Sequence, residues 1–81
     1  MSVYPNPAHE QFTVSLPGVA GASTVQAELR NTLGQLIHRQ NAPLPAAGAT
    51  LRVPTAQLAP GVYVLHLAAG AAVFSQKVVL Q

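Results

Sequence analysis

Apolar and polar residues alternate with a period of two along most of this chain, and that alternation is the tightest constraint on its fold. A strand points successive side chains to opposite faces, so the pattern predicts half-buried strands. In "EQFTVSL", Phe12, Val14 and Leu16 face one way, and Gln11, Thr13 and Ser15 face the other. In "TVQAELRN", Val25, Ala27 and Leu29 point inward while Gln26, Glu28 and Arg30 point outward. "QLIHRQN" is a shorter strand with a weaker pattern, and Leu51 and Val53 share a face in "TLRV". "VYVLHLAA" is apolar on both faces, which predicts a central strand. "VFSQKVVLQ" ends the chain as another strand. Helices are excluded because seven prolines and six glycines interrupt every window long enough to hold one.

Turn signals separate these runs. "PGVAGAS", "TLG" and "GAA" are turns, and Gly34 is predicted to take a positive φ. "APLPAAGA" is a loop, and "PTAQLAPG" has room for one helical turn closed by Pro60 and Gly61. About six regular strands plus a kinked start, spaced at roughly 8–12 residues, predict an antiparallel sandwich or barrel. The kinked start is "VYPNP". Proline donates no ladder hydrogen bond and holds the residue before it extended. Tyr4 and Asn6 are therefore extended or in a turn, and Asn6 can bond its own backbone. Tyr4 is expected to pack down along the sandwich edge and shield it from other chains.

With 81 residues, one domain is the default. Hydrophobic residues make up 49%, enough for a packed core, but charged residues make up only 7% against about 25% in an average domain. The surface must be built from Ser, Thr, Gln, Asn, Ala and Gly. Arg30, Arg39, Arg52 and Lys77 are scattered along the chain, without the clustered basic residues of a nucleic-acid footprint. There is no cysteine, so disulfides and thiol chemistry are excluded. No apolar run approaches the ~20 residues of a membrane helix, and Met1-Ser2-Val3 does not open a signal peptide. The abrupt start predicts a piece of a longer chain.

Few residues offer chemistry. His9, His38 and His66 share no metal-ligand spacing, so neither metal nor cofactor is expected. The acids are Glu10 and Glu28, and Asp is absent, so a Ser-His-Asp triad is impossible. Glu28 lies on a polar strand face beside Arg30, and no Gly-rich phosphate loop precedes a helix. His66 reads as a tolerated surface or edge residue. An independent enzyme is not expected, which leaves a binding, docking or structural module. "LAPGVYVLHL" reads as a tight turn into a core strand. Leu58 plugs the bottom of the core, and Tyr63 buries its ring with its hydroxyl on nearby backbone.

Three stretches, "VYPNP", "LAPGVYVLHL" and "QKVVLQ", stand in this order along the chain. Together they resemble the type A C-terminal sorting domain of Bacteroidota proteins exported by the type IX secretion system. The opening motif is matched by Tyr4, Pro5, Asn6 and Pro7, and a mid-chain Asn-x-x-Gly turn by Asn31 and Gly34. A Leu-x-x-Gly-x-Tyr element is matched by Leu58, Gly61 and Tyr63, and the closing Lys-aliphatic run by Lys77, Val78, Val79 and Leu80. Asn31 stands where the family often has Asp, and the surface carries fewer Lys and Asp than family members usually do.

The resemblance implies an immunoglobulin-like antiparallel β-sandwich of about seven strands at the end of a larger cargo protein. It implies that the cargo reaches the periplasm by its own signal peptide. The outer-membrane translocon then exports it to the cell surface or the medium, and a surface peptidase cuts the domain off upstream of Tyr4. Nucleic acid and stable membrane insertion have no part in that route. Lys77, a lone charge in an apolar terminal strand, is the residue with the weakest structural justification and hence the first candidate for recognition. The alternatives are an immunoglobulin- or fibronectin-like accessory module that binds carbohydrate or packs beside another domain, and a purely structural spacer.

Overall fold

The computed structural model describes residues 2–5 and 10–81. The alternating runs form seven strands: β1 (Ser2–Tyr4), β2 (Gln11–Leu16), β3 (Thr24–Asn31), β4 (Leu36–Pro43), β5 (Ala49–Pro54), β6 (Gly61–Ala69) and β7 (Ala72–Leu80). One antiparallel sheet has the order β1-β2-β5 and the other the order β4-β3-β6-β7. Hairpins join β1 to β2, β3 to β4 and β6 to β7, and the three remaining connections cross between the sheets. Relative to a constant-type immunoglobulin sandwich, the fourth strand has moved from the first sheet to the second.

The period-two pattern becomes the core directly. Phe12, Val14 and Leu16 of β2 meet Val25, Ala27 and Leu29 of β3, with Leu51 and Val53 from β5. Tyr63, Leu65, Leu67 and Ala69 of β6 and Val78 and Leu80 of β7 complete the layer. Each large aliphatic or aromatic side chain buried in this way contributes roughly 1.5–3 kcal/mol. β6 lies between β3 and β7, so its central position is as predicted. Leu44 is also buried, although it sits in the loop after β4. Its N–H donates to the Ser23 carbonyl at 2.8 Å, prolonging the β3–β4 ladder by one step and turning the side chain into the core.

Three expectations change. Ser2–Tyr4 forms a short regular strand paired with β2, and the kink begins only at Pro5. Tyr4 does not pack down: it is 51% exposed, because its ladder partner Thr13 is on the outward face of β2. The 55–58 stretch is a single turn closed by Leu58 N–H donating to the Thr55 carbonyl at 3.0 Å, with no helix. Pro54 ends β5 immediately before it, and Pro60 stops any further winding.

β4 and β5 are edge strands of opposite sheets on the same flank of the sandwich. Gln40 spans them, its Nε2 donating to the Arg52 carbonyl at 3.3 Å while its Oε1 lies 2.7 Å from His38 Nε2. That contact covers an edge carbonyl, and Pro54 removes a donor from the same strand.

Two glycines close tight turns for different reasons. Gly34 has φ +82° in open space, whereas Gly48 has φ +98° and a Cβ there would meet the Leu16 carbonyl oxygen at 2.6 Å. Gly34→Ala is therefore expected to cost about 1 kcal/mol from the left-handed backbone alone. Gly48→Ala should cost clearly more, since backbone must also move. Urea midpoints of the two variants check this, and equal losses would contradict it.

Candidate functional site

The sequence motifs fall into two groups once their side chains are placed. Asn31 and Gly34 build the β3–β4 hairpin turn. Asn31 Oδ1 accepts from the N–H groups of Leu33 and Gln35, each at 3.0 Å, and Asn31 Nδ2 donates to Gln35 Oε1 at 2.7 Å. The Gly34 N–H donates to the Asn31 carbonyl at 3.0 Å. Asn supplies the side-chain acceptor such a turn needs, so Asn31 suits this position.

Leu58, Gly61 and Tyr63 build the corner that enters β6. Leu58 is half-buried against the core, and Gly61 opens the strand with φ +152°. The Tyr63 ring is buried, and its hydroxyl donates to the Ala59 carbonyl at 2.7 Å. This is a tyrosine corner, the device that fixes the same bend in immunoglobulin domains. The expected roles of Gly34 and Tyr63 are thus observed, and Leu58 packs partly buried against the core.

The closing run divides by strand alternation. Val78 and Leu80 are buried, while Lys77 and Val79 project from the outer face. Lys77 stands opposite Val64 of β6, and Val79 opposite Val62. Val62 and Val64 are exposed, as is Val73 near the start of β7. The opening motif is reached only in part. Tyr4 and Pro5 are exposed, with a cis peptide between them, and Asn6 and Pro7, like His9, lie outside the described residues.

Arginines that are far apart in sequence meet on this outer face. Glu28 Oε2 accepts from Arg39 Nη2 at 2.7 Å and Nε at 3.0 Å, and Glu28 Oε1 lies 3.4 Å from Arg30 Nη2. Arg30 Nη1 also donates to the Gly34 carbonyl at 3.0 Å. The partnership with Arg39 was not anticipated from sequence. The hairpin turn at 31–35 carries the signal, because it pairs Glu28 with Arg39 across the ladder. Three of the four cations, scattered in sequence, share one sheet face.

Chemistry is not assembled there. Glu28, His66 and Ser75 stand in one cross-strand row, with His66 Nδ1 3.3 Å from Ser75 Oγ. The Glu28 carboxylate, however, is bound by arginines and by Gln26 at 3.5 Å. A triad needs its acid on the imidazole. Among the described residues no three His, Cys, Asp or Glu side chains cluster as metal ligands, and no helix is long and apolar enough to cross a membrane. A cleft of about 460 Å³ opens beside Ile37, His38, Pro54 and Leu58, with His38 its one titratable lining group. Of the four aromatic residues only Tyr4 is well exposed, so no stacking platform for sugar rings is formed.

The hydrogen bonds from Arg39 hold the Glu28 carboxyl below its ordinary value near 4.5; partial desolvation opposes this, and Arg30 adds to it. A depressed folded value means that the stabilisation is complete above the unfolded value and fades as pH falls through the folded one. Wild type should therefore lose its urea-midpoint advantage over Glu28→Gln as pH falls below the ordinary value near 4.5. A gap independent of pH would contradict the pairing. Tyr63→Phe should cost about 1 kcal/mol through the lost hydroxyl contact, with the fold retained, as read by thermal unfolding.

The chain matches a family described as a secretion system C-terminal sorting domain over residues 2–81. No curated protein matches it. The match spans every element described above, and the seven-strand sandwich and the two motif-built turns lie within it. The chain belongs to the C-terminal sorting domains of type IX secretion, a folded signal that directs an attached N-terminal cargo to the cell surface or out of the cell.

Proposed function

We propose that residues 1–81 form the single terminal sorting domain of a larger cargo, and that Lys77 with the outward side of β7 is what the secretion machinery reads. On this reading the cargo folds or waits in the periplasm, the outer-membrane translocon takes it across through this domain, and a surface peptidase then removes the domain upstream of Tyr4. Its role is recognition, not catalysis.

The observation that carries the reading is the division of the motifs. Gly34, Leu58, Gly61, Tyr63 and Val78 have roles in turns and core. Burial removes a residue such as Val78 from any docking surface, so its side chain serves the fold. Lys77 lies outside the core, exposed on the outer face opposite Val64. Val79 supports it from the same side of the strand, and the opening motif of Tyr4, Pro5, Asn6 and Pro7 contributes a second part of the recognised surface.

The test is export of a reporter. The 81 residues are fused behind a signal-peptide-bearing fluorescent protein and expressed in a type IX-competent host and in one lacking the system. Reporter should appear outside only in the competent host. Lys77→Ala should leave the fold intact and strand the reporter in the periplasm, whereas normal export of that variant removes Lys77 from the recognised surface.

A further inference from the structure

Resting on the sorting-signal reading, we infer that the whole outer face of the β4-β3-β6-β7 sheet is a docking surface for a protein partner with an apolar centre and an acidic rim. The ladder registers arrange this face in cross-strand rows. Asn41, Gln26, Ala68 and Val73 form one row, and Arg39, Glu28, His66 and Ser75 the next. Leu36, Arg30, Val64 and Lys77 form the third, and Val62 and Val79 close the face. Val64 is therefore flanked on one side by Arg30 and on the other by Lys77, each one strand spacing (about 4.8 Å) away.

Charge and apolar surface coincide on this face. It carries Arg30, Arg39 and Lys77 against Glu28 alone, so it holds a net +2, equal to the formal charge of the whole chain. Arg52 lies on the other sheet, and Glu10 precedes β2 at the end of that sheet. Leu36, Val62, Val64 and Val73 are 40–59% exposed and interleave with those cations, with Val62 and Val64 adjacent on β6. Complementarity then asks for carboxylates around an apolar centre.

The geometry favours a protein over a lipid surface. Charged and polar residues stand between the exposed apolar ones, with Arg30 between Leu36 and Val64 and the Glu28, His66 and Ser75 row between Val73 and Val64, so no continuous apolar face is offered to an acyl boundary. A protein surface can receive the cations in acidic recesses while its apolar centre rests on the valines. Four strands of about eight residues give a face of roughly 500 Å² in projection. That is below the ~800 Å² per partner of a stable complex, and fits a transient contact.

The reporter fusion tests this, because export of the wild type first establishes the sorting reading by itself. Arg30→Glu/Lys77→Glu should then lower external reporter by at least roughly tenfold, the scale of a disrupted interfacial charge pair. Arg52→Glu, on the opposite sheet, should stay within about twofold of wild type, as expected for a charge outside the contact. Circular dichroism confirms the fold of each variant. Should the double variant not fold, Lys77→Glu and the near-isosteric Val64→Thr decide, and each is expected to reduce export. Wild-type export by the folded double variant, or by both single variants, overturns the inference while leaving the sorting reading intact. Equal loss in Arg52→Glu overturns it in favour of net charge. Sedimentation of the wild-type 81-residue chain, but not the double variant, with phosphatidylglycerol vesicles overturns the protein occupant in favour of lipid.

Discussion

Burial of the Tyr63 ring sets the register of β6, and most of the molecule follows from that register. The hydroxyl is anchored on Ala59, so the ring cannot move along the strand without giving up both its burial and its hydrogen bond. β6 pairs with β3 on one side and β7 on the other, and a slip of one residue would turn every side chain to the opposite face. With Tyr63 inside, Leu65, Leu67 and Ala69 are inside as well, and Val62, Val64 and His66 face solvent. The same constraint passes across the ladder to β7, where Val78 opposite Tyr63 is buried and Lys77 opposite Val64 is exposed. The exposed half of the closing motif is thus a consequence of the buried half.

The β3–β4 hairpin performs a comparable service for charge. The Asn31 side chain organises a turn whose ladder brings Arg39 opposite Glu28. Glu28 is then shared between two guanidinium groups, and the face keeps an excess of positive charge. A chain with so few charges has little other means of building a directional field. Concentrating them on one sheet achieves it without a basic run in the sequence.

A sorting signal that is a folded domain differs from a linear peptide signal in what it can present. Its recognised residues need not be adjacent in sequence, and their spacing is set by the 4.8 Å ladder and the pleat. The motif residues read from the sequence separate into those that hold the sandwich and those it displays. β1 and β4 contribute little to the buried core, so the strands expected to open first lie away from the β6–β7 pair.

Strand positions and the inward set of β2, β3, β5 and β6 were legible in the sequence, because period-two alternation and Pro/Gly breaks are local properties. So were the positive φ of Gly34 and the buried ring of Tyr63. Tyr4 was misplaced, since an aromatic beside proline looks like a packing residue until its ladder partner is known to face outward. The helical turn after Pro54 was misplaced because one turn's worth of helix-compatible residues is also compatible with a reverse turn. Sequence by itself determined the all-β class, the boundaries of β2 to β7 to within a residue or two, and the family, since each depends on short-range pattern and ordered motifs. Only the tertiary structure decided which sheet each strand joined, that Leu44 completes the core, and that Arg30, Arg39 and Lys77 share a face with three exposed valines and Leu36. Those depend on pairing between residues distant in the chain, which alternation alone does not specify.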